Sequence, residues 1–66
     1  MKLIYDKDTD SLYIDLVDRP SADSLEAVDG IVLDFDAEGR LVGIDIEQAS
    51  QKVELQRLMQ GISTPA

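Results

Sequence analysis

"IVLDFDAEGRLVGIDI", residues 31–46, repeats apolar residues at every second position (Ile31, Leu33 and Phe35; Val42, Ile44 and Ile46) on both sides of a short Asp-Ala-Glu-Gly break. A period of two marks strands with one buried face, and a short break containing glycine marks the turn between them. Pairing Phe35 with Arg40 leaves residues 36–39 as a four-residue loop. That register sets Leu33 opposite Val42 and Ile31 opposite Ile44, so both apolar sets share one face, and truncating Leu33 is costly if it is fully buried there. A slip by one residue would put the two sets on opposite faces. Gly39 suits the left-handed backbone near the end of such a loop. An antiparallel hairpin therefore anchors the reading of the whole chain.

Upstream, "KLIY" (2–5) and "SLYIDLV" (11–17) read as a second hairpin around an aspartate-rich turn. Pairing Tyr5 with Asp10 makes residues 6–9 the loop and sets Leu3 opposite Leu12 and Met1 opposite Ile14. Ile4 and Tyr13 then fall on the other face, as do Val32 and Leu41 from the first hairpin. The outer face of the sheet is thus not wholly polar, and something is expected to cover part of it. Between the hairpins, Pro20 excludes residues 19–23 from a central strand. "SLEAV" (24–28) is a weak strand candidate, and Asp29-Gly30 marks either a tight turn or a bulge in a longer strand.

From Ala49 the period changes. Leu55, Leu58, Met59 and Ile62 follow the i, i+3, i+4, i+7 spacing of an amphipathic helix, with Ser50 as its N-cap and Gly61 as its stop. The expected fold class is α+β: a small antiparallel β-meander of four to five strands followed by one C-terminal amphipathic helix. Residues 1–66 form a single domain, with the sheet in 1–46, the helix in 49–60 and a frayed tail at 63–66. One short helix covers only part of such a sheet, whether in the same chain or across a dimer.

At 66 residues, a domain needs support beyond its own core, commonly disulfides, a metal or oligomerisation. Cysteine and histidine are both absent, which removes disulfides, thiolate sites and the usual neutral-pH base. Self-association, as a homodimer, is the expected support. Residues 1–38 carry eleven acidic groups against Lys2, Lys7 and Arg19, a net −8. Residues 39–66 balance three against three. Nucleic-acid binding calls for the opposite sign, because phosphate contacts dominate its affinity. An acidic surface serves solubility or attracts a basic protein. No stretch approaches the ~20 apolar residues of a membrane span, and "MKLIYD" lacks the apolar core of a signal peptide. The expectation is a cytoplasmic protein.

Asp6, Asp8 and Asp10 alternate like the first ligands of a calcium loop. Counted from Asp6, position six is Ser11 and position twelve is Val17, where such a loop requires glycine and a bidentate glutamate. The cluster reads as a turn, since aspartates bond readily to nearby backbone amides. Asp34, Asp36 and Asp45 lie on the outer face or loop rim, where solvent keeps carboxylates ordinary; a carboxylate metal or hydrolytic site is the alternative they allow. The serines have no histidine to activate them. No residue is assigned a catalytic, cofactor-binding or metal-ligating role. The candidate partner or dimer interface comprises Ile4, Tyr13, Val32 and Leu41 on the sheet, with Leu55, Leu58, Met59 and Ile62 on the helix. Tyr13 is its expected anchor, because its neighbours Leu12 and Ile14 face the core.

The order Tyr5-Asp6, Asp10, Leu12-Tyr13-Ile14, then Asp29-Gly30, Leu33-Asp34-Phe35-Asp36, Gly39-Arg40-Leu41-Val42-Gly43-Ile44 and Ala49-Ser50 resembles the small bacterial family called domain of unknown function 2283. The resemblance spans roughly residues 3–50. It implies a strand-rich domain with a meander and a short helix, and no assigned activity. Relatives of this kind are thought to act as antidotes to small toxins encoded beside them, and the resemblance supplies no catalytic residues to carry over.

Overall fold

The computed structural model describes residues 1–54. They form five strands, β1 (Lys2–Asp6), β2 (Ser11–Asp15), β3 (Asp23–Val28), β4 (Ile31–Phe35) and β5 (Leu41–Glu47), followed by α1 (Ala49–Lys52). All pairings are antiparallel, and the order across the sheet is β1-β2-β5-β4-β3. The β1–β2 hairpin and the β3–β4–β5 meander meet where β5 docks beside β2. Residues 16–22 carry the chain from one piece to the far edge of the other, with the Leu16 amide donating to the Val42 carbonyl at 2.9 Å on the way. Asp29-Gly30 is a turn between two strands, and a register shift between Glu26 and Val28 adds a bulge. Among the described residues no helix is long and apolar enough to cross a membrane.

Both hairpin registers differ from the simplest reading of the sequence. In the first, Tyr5 pairs with Leu12, Leu3 with Ile14 and Asp6 with Ser11, a displacement of two residues. Asp10 is the cause. It adopts the left-handed conformation (φ 54°) and so joins the turn, while the Asp6 carboxylate accepts the Asp8 amide at 2.9 Å. A shift of two leaves every side chain on its expected face. In the second hairpin Leu33 pairs with Ile44 and Ile31 with Ile46, yet Phe35 pairs with Leu41. Asp36 tightens this turn: its Oδ1 accepts the amides of Glu38 and Arg40, both at 2.9 Å, which draws Arg40 into the loop. Val42 becomes the extra residue of a β-bulge.

The inner face is built on Leu12 (0% exposed), Ile46 and Ala49, with Leu3, Tyr5, Ile14, Ile31, Ile44 and Val53 packed around them. Val42 is also buried, near the bulge. Leu33 is only half-buried, whereas Leu12 is fully buried in a cluster with Ile46 and with Ala49 of α1. The single layer of cover leaves Leu25 and Val28 on the β3 edge exposed.

The helix departs from expectation as well. Its four residues end at Val53, whose backbone is extended (φ −135°, ψ 154°) and whose side chain joins the core. One continuous helix over 49–60 is therefore not formed. Leu55, Leu58, Met59 and Ile62, together with the tail at 63–66, lie outside the described residues. Ser50 is not the N-cap: that position is Gln48, left-handed and without a side-chain capping bond.

Candidate protein-binding face

Strand pairing assembles the outer face in rows. One row runs Ile4–Tyr13–Asp45–Val32–Glu26 across all five strands, and the next runs Lys2–Asp15–Gly43–Asp34–Ser24. Asp6, Ser11 and Glu47 begin a third. Three of the four sheet residues expected at an interface, Ile4, Tyr13 and Val32, therefore share one row. Leu41 does not join it, because the bulge pairs it with Phe35. Asp34 and Asp45 lie on the outer face as expected. Asp6, Asp15, Glu26, Asp34, Asp45 and Glu47 place six carboxylates on this face; among the described residues Lys2 shares it, and the Lys52 ammonium donates to the Glu47 carbonyl at its end.

Tyr13 organises the middle of the face. Its ring lies across Gly43, the diagonal neighbour on β5, so closely that a β-carbon there would stand 1.9 Å from the Tyr13 hydroxyl. Glycine at this position is what lets the ring lie down. The Tyr13 hydroxyl donates to Asp34 Oδ2 at 3.1 Å, and Ser24 Oγ donates to Asp34 Oδ1 at 2.7 Å. Partial burial, then the Asp34 bond and the nearby charges of Asp34, Asp15 and Asp45, push the Tyr13 phenol above its ordinary value. A phenol held neutral, with its proton spent on Asp34, keeps its oxygen as an acceptor among carboxylates, and both kinds of acceptor suit a cationic side chain.

A second tyrosine–aspartate pair does different work at the end of the sheet. Tyr5 donates to Asp10 Oδ1 at 2.6 Å; the Ser50 amide donates to the same oxygen at 3.1 Å, and Ser50 Oγ to Asp10 Oδ2 at 2.7 Å. The Asp10 carbonyl accepts the Ala49 amide at 2.9 Å. An aspartate 40 residues upstream thus caps α1 in place of a local side chain. The bonds from Tyr5 and Ser50 hold the Asp10 carboxyl below its usual range, and the same bond raises the Tyr5 phenol. The aspartate-rich stretch is a turn, as the missing glycine and glutamate of a calcium loop indicated, with Asp10 also serving as a fastener. Nothing local in the sequence announces that role.

Asp36 departs from the ordinary solvated carboxylate expected of it. It is 8% exposed and accepts Arg19 Nη1 at 3.2 Å. The Arg40 amide first, with the Glu38 amide and Arg19, depresses its pKa despite the opposing effect of burial. These bonds close the β4–β5 turn and tie the 16–22 crossover to it. Arg40 itself is exposed and pairs with Glu38 at 3.1 Å. Among the described residues, no group of three or more acidic side chains converges closely enough to hold a metal ion. An open polar cleft of about 550 Å³ is lined by Thr9, Ser11, Asp29, Gly30, Glu47, Gln48 and Lys52.

A family model described as "Protein of unknown function (DUF2283)" matches residues 2–50. The chain belongs to that family. The match covers all five strands of the DUF2283 domain and the start of α1, and so includes Tyr13, Asp34 and Gly43 as well as Tyr5, Asp10 and Ser50. No curated protein and no solved structure matches the chain.

Proposed function

We propose that this DUF2283 domain is a non-enzymatic protein-interaction module whose outer sheet face holds a basic protein. The observation that carries this reading is the row Ile4–Tyr13–Asp45–Val32, whose apolar members are half-buried to exposed and have carboxylates both among and around them. Binding faces combine such an aromatic anchor with a polar rim, and complementary charge speeds encounter and selects partners. An antitoxin that masks the RNA-binding surface of a small basic toxin is one concrete form of this activity.

The test begins with capture from the native cell at low salt, followed by purification of the protein retained and titration with wild-type and variant domains. Wild-type affinity should fall steeply as salt rises. Tyr13→Ala should weaken binding by about ten-fold or more, on the scale of an interface anchor. Asp45→Lys should weaken it as well, with a shallower salt dependence. A partner bound equally by all three proteins would sink the proposal. Recovery of the domain alone, as an oligomer, would favour a purely structural role.

A further inference from the structure

Among the described residues β1 and β3 are the edge strands of the sheet, and their sequences differ in a way that matters for self-association. The β3 edge carries Asp23 and Glu26, with Asp29 just beyond, and its regular pairing is broken between Glu26 and Val28. Two copies meeting there would gather these carboxylates at one joint, with no basic residue between 23 and 29 to offset them. The β1 edge reads Lys-Leu-Ile-Tyr-Asp, unbroken over its five residues. Read against its own reverse, this strand is complementary: Lys2 meets Asp6, Leu3 meets Tyr5 and Ile4 meets itself.

Backbone geometry narrows the choice of register. Antiparallel strands pair only residues whose N–H and C=O groups point the same way, so permitted registers differ by steps of two residues. Centred on Leu3, a twofold pairing leaves Asp6 unpaired and sets Lys2 against Ile4. Centred on Tyr5, it leaves Lys2 unpaired. Only the pairing centred on Ile4 uses all five residues and matches both charges.

We propose that the DUF2283 domain self-associates through β1, two copies pairing antiparallel about a twofold axis at Ile4 to form one ten-stranded sheet. The axis is perpendicular to the sheet, so both outer faces lie on the same side. Lys2, Ile4 and Asp6 share the outer face in each copy. Two Lys2–Asp6 pairs flank the joint there, and the 51%-exposed Ile4 side chains cover each other between them. The Asp6 carboxylate gives one oxygen to the Asp8 amide and keeps further acceptor capacity for the incoming ammonium. Leu3 of each copy meets Tyr5 of the other on the inner face, continuing the core across the joint. Pairing removes the exposed ladder of an edge strand, which is a standing liability, and gives a 66-residue domain the support its small core lacks. The inference is independent of what binds the outer face.

The chain has no cysteine, so single replacements report the joint directly. Facing residues in antiparallel strands have Cα atoms roughly 4.5–5.5 Å apart, within disulfide reach. Ile4→Cys should give a disulfide-linked dimer under mild oxidation. Leu25→Cys, equally exposed on the other edge, should not. Light scattering across a concentration series should show wild type reaching twice 7.3 kDa. Lys2→Asp and Asp6→Lys should each weaken the dimer about ten-fold or more, since two attractive pairs become repulsive. Mixed in equal amounts, the two variants should recombine as a heterodimer with both pairs restored. A wild type that stays monomeric up to millimolar concentration would overturn the proposal, as would a Leu25→Cys dimer forming faster than the Ile4→Cys one. The Ile4→Cys readout stands whether or not Asp6→Lys tolerates loss of its bond to the Asp8 amide.

Discussion

Replacing Gly43 with alanine tests the geometry at the centre of the outer face. The added β-carbon would stand 1.9 Å from Tyr13 Oη and 2.5 Å from Cζ, where ordinary contact begins at 3.4 Å. The end of the ring must therefore move by about 1.5 Å (3.4 − 1.9). The Tyr13–Asp34 bond, already 3.1 Å long, does not survive a displacement of that size. A hydrogen bond to a charged group contributes about 1.5–3 kcal/mol, which partial exposure here reduces to about 1 kcal/mol. Against this, replacing glycine with alanine within a strand gains roughly 0.5–1 kcal/mol of backbone entropy. The two nearly cancel, so a melting curve is the wrong assay.

Spectrophotometric titration of the phenol separates them. In a Tyr5→Phe background only Tyr13 reports, and its pKa should lie above 10.0 because of burial and the Asp34 bond. Gly43→Ala lifts the ring from the sheet and removes both causes, so the midpoint should fall towards 10.0. The linkage has a definite sign. A phenol pKa raised by folding stabilises the native state below the unfolded pKa, and that stability is lost as pH rises through the folded one. Above pH 10 the Tyr5→Phe protein should thus lose more stability than its Gly43→Ala derivative. A Tyr13 midpoint unmoved by Gly43→Ala would refute the placement of the ring across Gly43.

Leu12→Ala should cost about 2–5 kcal/mol in urea denaturation, a large part of the stability of so small a domain, whereas half-buried Leu33→Ala should cost clearly less; the reverse order would mean that the core is centred elsewhere. Acid should destabilise the fold through Asp10 and Asp36. Both pKa values are depressed by folding, so their contribution is present above the ordinary carboxylate value of 3.8 and lost as pH falls through the lower folded values. Asp10→Asn and Asp36→Asn should flatten that acid limb in a melting-temperature series. Asp8→Ala should leave the melting temperature almost unchanged, because it removes an exposed carboxylate, whereas Asp10→Ala should lower it and speed hydrogen exchange at the Ala49 and Ser50 amides.

The alternation in residues 2–5, 11–17 and 31–46 was enough to define two antiparallel hairpins and to assign their faces. Ile4, Tyr13 and Val32 meet on the outer face as that alternation indicates, and Asp34 and Asp45 stand beside them. A two-residue pattern is blind to displacements by two, however, and the β1–β2 hairpin is displaced by that amount from its simplest pairing. What sets the turns is side-chain bonding: Asp6 with its neighbours in one, and in the other Asp36 with Glu38, Arg40 and Arg19. The same tightening moves Leu41 out of the row in which simple alternation puts it.

Local pattern determines which residues are extended and which side of a strand they occupy, because both follow from the backbone of a few consecutive residues. Which strands become neighbours follows from burying several apolar faces at once, and only the tertiary structure decides it. β5 pairs with β2 so that Leu12, Ile46 and Ala49 close one core. Val53 turns extended because its side chain reaches that core, and α1 starts where Asp10, 40 residues before Ser50, can receive its amides. Bonds of such reach exist only once the sheet has brought the two ends together.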